Sequence, residues 1–324
     1  MAKKASKKPV RRIRAIFRKT FAYADDGHPM VTYLEALGEA SQRPMRVALE
    51  SIADIFSNGK VDAEMLAWHQ LRPEHTAKLR GRLQTLYAPA TANRYLSALR
   101  GILKAAWRLE YVDRDTMERT LDIAPVRGRR ALSGRGLAKT ELAAVFEACQ
   151  TDENIAAGAR DGAILALLYG GGLRRTEVVT LDIDDVDLER KSVRVVGKGD
   201  KERVVFVPAG VIELVDVWLG HRGRQESGAL FWHVGRTGCV RPRRISAELV
   251  YQIVLKRHQH AEVDRFTPHD LRRSYISDLL DEGVDLVVAS KQVGHSNVAT
   301  TARYDRRTER AQQDAAARLK LPTL

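Results

Sequence analysis

The sequence predicts a mainly α-helical protein with one small antiparallel β-sheet, arranged as a helical N-terminal domain followed by a mixed α/β domain. Three observations carry this. Apolar residues recur at helical spacing through residues 28–123. The pattern changes to alternation over three short stretches between Ile183 and Val207, with polar turns between them. Between these regions lies Pro125–Gly136, PVRGRRALSGRG, which has the composition of a linker. A chain of 324 residues also suits two domains better than one.

Residues 1–25 read as a basic arm, because residues 1–20 hold nine Lys or Arg and no acid. The first domain spans 26–124. One helix is expected from Pro29 to Leu37 and another from Arg43 to Phe56. A third covers Asp62 to Gln84, with a break at Pro73, whose ring removes a donor and crowds the preceding turn. The fourth, Ala90–Leu109, has the clearest pattern: Tyr95, Leu96, Leu99, Leu103, Ala106 and Trp107 share helical spacing, with Arg94, Arg100, Lys104 and Arg108 among them. The expected result is a small bundle with basic faces.

The second domain spans 137–324. Helices are expected at Thr140–Cys149 and at Arg160–Tyr169, the latter ended by Gly170-Gly171-Gly172, and a short one near Thr176. Three strands follow, Ile183–Val186, Ser192–Val196 and Arg203–Val207, with Gly197-Lys198-Gly199-Asp200 as a hairpin turn. Helices at Ala209–Leu219, Ser246–His260, Pro268–Asp281, Asp285–Val293 and Val298–Tyr304 complete the domain. In the tail beyond Tyr304, Ala311, Ala315, Ala316, Leu319 and Leu321 form an apolar helical stripe. No internal repeat is visible.

Charge narrows the function. Lys plus Arg number 54 against 41 Asp plus Glu, a net charge of +13. Such a field attracts polyanions, nucleic acid first and an anionic membrane surface as the rival. Charge alone separates neither DNA from RNA nor a binder from an enzyme. Cys149 and Cys239 lie far apart with no CxxC, which argues against a disulfide framework or a Cys-rich zinc site. No apolar run reaches the roughly 18 residues that a membrane span needs, and no apolar segment follows the basic N-terminus as in a secretory signal.

Four local patterns stand out: Gly171-Gly172-Leu173-Arg174-Arg175-Thr176-Glu177; the hairpin lysine Lys198; Pro268-His269-Asp270-Leu271-Arg272-Arg273-Ser274; and Gly294-His295-Ser296 with Tyr304 after it. Singly each has a bland reading. A lysine in a turn is usually solvated, a lone tyrosine on a helix is usually core or rim, and a lone histidine is usually a hydrogen-bonded structural residue. Order and spacing together change that.

In chain order these residues resemble the tyrosine recombinase family, also called the phage integrase family, whose pattern is Arg, Lys, His-x-x-Arg, His and Tyr. Here that gives Arg174, Lys198, His269, Arg272, His295 and Tyr304. The intervals resemble those of the Xer-like and integrase branches. The likeness covers residues 137–305 in motif detail and 28–123 by architecture. It implies a helical core-binding (SAM-like) domain and a catalytic domain that together clamp DNA. It implies a site-specific recombinase or integrase that cleaves and rejoins strands through a 3′-phosphotyrosyl intermediate and a Holliday junction, with no cofactor and no metal. The implied partners are double-stranded DNA with paired inverted half-sites and three further copies of the chain, in a tetramer assembled by docking of the tail in trans, with docking in cis as the alternative. No membrane is implied, and the expected location is cytoplasmic, at the nucleoid. The long basic arm leans toward a mobile element.

The chemistry explains the residue types. Breaking a phosphodiester without a metal needs charge neutralisation, an activated nucleophile and a protonated leaving oxygen. Arg174 and Arg272 can each donate two hydrogen bonds to nonbridging oxygens. Arg272 lies one helical turn after His269, so the two share a face. Tyr304 is the implied nucleophile, His269 its proton acceptor, His295 a donor to phosphate, and Lys198 the acid for the 5′ oxygen. Glu177 orients the site or simply starts a helix. The acidic run Asp182, Asp184, Asp185, Asp187 and Glu189 reads as a solvated face rather than a metal cluster, and His258 and His260 diverge on a helix. Further DNA contacts are expected at Arg94, Arg100, Arg129, Arg130, Arg241, Arg243, Arg244 and Arg273, for phosphate positioning rather than base readout. Two other functions fit the same fold: a DNA-binding regulator without strand cleavage, and a type IB topoisomerase.

Overall fold

The computed structural model describes residues 20–23, 27–128, 134–197, 201–224, 227–295 and 297–302. They form two compact units, divided between residues 132 and 133.

The first unit is helical: α1 (Pro29–Glu35), α2 (Glu39–Ser57), α3 (Pro73–Leu86), α4 (Pro89–Arg108) and α5 (Arg114–Leu121). Proline starts α1, α3 and α4, where its fixed φ suits the first turn and its missing N–H is no loss. The single helix expected over Asp62–Gln84 is instead two 3-10 turns, Ala63–Met65 and Trp68–Gln70, followed by α3. Trp68 explains the difference. Its indole is fully buried and donates to the Ala63 carbonyl at 2.7 Å, which holds the chain in tight turns. α2 begins at Glu39, ahead of the expected Arg43, and carries Pro44 within it. Leu49, Ile52 and Phe56 of α2 meet Leu96, Leu99 and Leu103 of α4 in the core.

The second unit begins with α6 (Lys139–Gln150), α7 (Ile155–Gly170) and α8 (Arg175–Thr180). Residues 160–168 of α7 are all buried, so this helix is the unit's spine. Its two charged residues there are paired. Asp161 accepts from Arg160 at 2.7 Å and from Arg257 at 2.7 Å, and Arg257 also meets Asp152 at 2.7 Å. A three-stranded antiparallel sheet follows in the order β1 (Val186–Asp187), β2 (Ser192–Gly197) and β3 (Lys201–Phe206). The expected strand at Ile183–Val186 is mostly a 3-10 turn, because Asp185 caps the Asp182 N–H at 2.9 Å. The sheet's inner face buries Val193, Val195 and Val205, while Val196, Val204 and Phe206 stand exposed on the outer face.

After α9 (Ala209–Arg222) comes a second sheet that the sequence pattern did not suggest. It is an antiparallel ribbon of β4 (Trp232–Val234) and β5 (Val240–Arg244). α10 (Ala247–His260), α11 (Pro268–Asp281), α12 (Leu286–Val293) and α13 (Val298–Ala302) follow. No helix among the described residues is long and apolar enough to cross a membrane.

Candidate active site

The site begins where α7 stops. Gly172 has φ +60, and a Cβ there would lie 2.4 Å from a ring carbon of Tyr275. Only glycine turns the chain here, and the turn aims the Gly172 carbonyl at Arg272. Arg174 is the N-cap of α8. Its N–H donates to Glu177 Oε2 at 2.8 Å and its Nη1 donates to Oε1 at 2.6 Å. The same guanidinium reaches the Gly294 carbonyl at 3.3 Å through Nη2.

Glu177 is buried. Burial alone would raise its pKa, but the Arg203 guanidinium and the Arg174 N–H outweigh it and hold the carboxyl below its ordinary value. Arg203 binds it through two donors, at 3.1 and 2.9 Å.

Arg272 sits on α11, 2% exposed. Its Nη1 donates to Gly172 O at 2.5 Å and its Nη2 to Val293 O at 2.7 Å. The backbone is free to accept because α12 ends at Gly294 in the left-handed region, φ +67. His269, one turn before Arg272, lines a cleft of about 460 Å³ together with Arg174, Arg175, Thr176, Tyr251, Thr267 and Arg272. Burial, then Arg272, lowers its pKa.

His295 follows the Gly294 turn. Its N–H donates to Ser290 O at 3.0 Å, and its Nδ1 is 2.8 Å from the buried Thr301 hydroxyl. Burial, then the charges of Arg272, Arg174, His269 and Arg203, pushes its pKa down to about 4. The ring is therefore neutral at pH 7 in the DNA-free protein.

Thus Arg174, Glu177, His269, Arg272 and His295 lie together. Lys198, Tyr304, Arg129 and Arg130 lie outside the described residues, as does the tail. Gly197 pairs with Lys201, on either side of residues 198–200. Arg273 donates to Gly134 O at 2.8 Å, on the same unit. Arg241, Arg243 and Arg244 are exposed on β5, but Arg244 is engaged locally, with Val179 O at 2.8 Å and Asp182 at 2.5 Å. In the first unit Arg94 is exposed beside the Tyr95 ring, and Arg100 donates to Ile123 O at 2.8 Å. The acidic run is used in cis: Asp182 by Arg244, Asp185 by Arg194 at 2.8 Å, and Asp187 by the Arg190 N–H at 2.8 Å.

Sequence reading missed Arg203 and a group on the lining of the cleft. There Arg175 lies over the Tyr251 ring, 5.7 Å from its centroid, and Arg265 donates to the Tyr251 hydroxyl at 3.0 Å. The doubled arginine at 174–175 was the available signal for the second group.

Residues 135–310 match the family model described as the phage integrase family. The chain is 33% identical over 257 residues to the tyrosine recombinase XerC of Myxococcus xanthus, covering 73% of this chain and 79% of that protein. It is 41% identical over 145 residues to XerC of Corynebacterium efficiens, covering 45% of this chain and 46% of that one. Among solved structures, the Tn1549 transposon integrase with transposon right-end DNA aligns at a TM-score of 0.66 with 14% identity, covering 90% of this chain and 98% of that one. A lambda integrase dimer bound to a core site aligns at 0.61 with 13% identity, covering 87% and 94%. These two likenesses establish the fold. The family match and the Xer relatives establish more: the chain belongs to the phage integrase family and is a site-specific tyrosine recombinase.

Proposed function

We propose that the protein cleaves and rejoins double-stranded DNA through a 3′-phosphotyrosyl intermediate, with Tyr304 as the nucleophile. The observation that carries this reading is the meeting of Arg174, His269 and Arg272 at one cleft, with His295 close enough to feel the charge of all three. The chemistry is assigned as follows. The scissile phosphate sits between the guanidinium groups of Arg174 and Arg272, which donate to its nonbridging oxygens. The Tyr304 oxygen attacks phosphorus and loses its proton to His269, whose pKa is held below its ordinary value by burial and by Arg272. The bond from phosphorus to the 5′ oxygen breaks, and Lys198 gives that oxygen its proton. His295, whose Nδ1 faces the Thr301 hydroxyl, donates to a phosphate oxygen through Nε2. Attack by a 5′ hydroxyl of a partner strand on the phosphotyrosine then rejoins DNA and frees Tyr304.

At larger scale we assign residues 26–124 to DNA binding, 125–136 to a linker and 137–324 to catalysis. The solved relatives in complex with DNA support a DNA partner. Paired inverted half-sites, passage through a Holliday junction, a homo-tetramer joined by tails docked in trans, and a mobile-element setting belong to the same proposal.

The test is a suicide substrate: a nicked duplex carrying the DNA that flanks the gene, incubated with wild type and Tyr304→Phe. A detergent-resistant protein–DNA adduct with wild type alone is expected. Tight binding of that duplex without any adduct would move the assignment to a DNA-binding regulator.

A further inference from the structure

Arg203 has no part in the scheme above, yet it touches two of the described segments that carry the site, the start of α8 and the end of α12. It lies on β3, five residues beyond Lys198 in the chain, and its side chain is 15% exposed. Two donors grip both oxygens of Glu177, at 3.1 and 2.9 Å. The third, Nε, reaches Gln292 O at 3.3 Å, in the last turn of α12. Its guanidinium also packs on Gly294 so closely that a Cβ there would lie 3.0 Å from it. Glu177 in turn holds Arg174, and Gly294 precedes His295.

We propose that Arg203 is a positioning residue for strand cleavage, fixing Arg174 through Glu177 and fixing the turn that carries His295 through Gln292 and Gly294. The inference rests on the cleavage reading given above. Charge explains why a second arginine is needed. Glu177 with Arg174 alone is a neutral pair, and the carboxylate would compete with phosphate for the guanidinium. Adding Arg203 makes the trio net positive, so Arg174 keeps an uncompensated charge for the substrate. That charge counts most when phosphorus is pentacoordinate and its oxygens carry the most negative charge, so the effect belongs to the rate rather than to binding. Displacing such a group by an ångström is enough to cost about 100-fold in rate.

The experiment measures single-turnover adduct formation on the nicked duplex at saturating protein, beside the affinity for the same duplex. Arg203→Gln should lower the cleavage rate roughly 100-fold while affinity stays within about threefold. Arg203→Lys keeps the charge but cannot span both carboxylate oxygens and the carbonyl, so its loss should be about tenfold. The double variant Arg203→Gln with Glu177→Gln should be no slower than the worse single variant, because the two residues act as one unit. A wild-type rate in Arg203→Gln, an equal loss of affinity, or additive losses in the double variant would overturn the proposal. If Arg203→Gln does not fold, Arg203→Lys decides: a wild-type rate there overturns it equally. A DNA-free readout separates this role from the cleavage reading. The His295 ring resonances should shift in Arg203→Gln, and an unmoved ring would sink the positioning role whether or not the wild type cleaves.

Discussion

In the proposed reaction Arg272 is committed beforehand. Two of its donors are spent on backbone carbonyls, and its side chain is buried, so the guanidinium is held in place before substrate arrives. Arg272→Lys keeps a charge but cannot satisfy both carbonyls. Adduct formation on the nicked duplex should fall at least about 100-fold, and thermal unfolding should show a loss of about 1–3 kcal/mol from the unpaired acceptors. His295 gives a second prediction. Its pKa is lowered by folding from 6.5 to about 4, so the unfolded chain binds the proton more tightly than the native state. Its contribution to stability is complete above pH 6.5 and is lost as pH falls toward 4. The melting temperature should therefore drop across that window, and His295→Gln should flatten the drop; an unchanged slope would refute the assignment. Arg174, His269, Arg272 and His295 were picked out in the sequence by their resemblance to the family pattern, and the fold brings them close together. Arg203 was not picked out, since an arginine inside Lys-Glu-Arg-Val-Val reads as ordinary strand charge, and its carboxylate partner lies 26 residues away.

At the scale of elements, the helices were readable wherever one apolar stripe faces one core, as in α4 and α11. The β4–β5 ribbon was not. β5 is Val-Arg-Pro-Arg-Arg, with four exposed residues and a proline inside, and a two-stranded ribbon tolerates that because one side of each strand needs no partner. Its register also shifts between Trp232 and His233, which breaks the simple alternation that reveals a strand. The 3-10 turn before β1 was read as strand because Ile183 and Val186 flank acids, when Asp185 is a cap. Turns here place chemistry, and Gly172 shows how tightly. Gly172→Ala forces a Cβ against Tyr275 in a left-handed conformation and moves the carbonyl that holds Arg272. Expected are a lower melting temperature, by about 1–3 kcal/mol in stability, and a cleavage loss exceeding what the residual folded fraction explains.

At the scale of the whole molecule, each unit has its own apolar core, around Trp68 in the first and around α7 in the second. The net charge of +13 was the first sign of a polyanionic partner. That charge has a second effect through the outer face of the β1–β3 sheet, where Val204 is 54% and Phe206 61% exposed. Like-charged molecules repel at low ionic strength, which keeps such faces apart. Salt shortens that repulsion to a few ångströms by about 1 M while strengthening apolar attraction. The concentrated salt that strips a basic protein of nucleic acid thus also lowers its colloidal stability. Static light scattering should show the second virial coefficient turning negative as salt rises, and Phe206→Lys should delay that change of sign. The medium in which this enzyme is most soluble is then one that keeps its counterions few or supplies the polyanion itself.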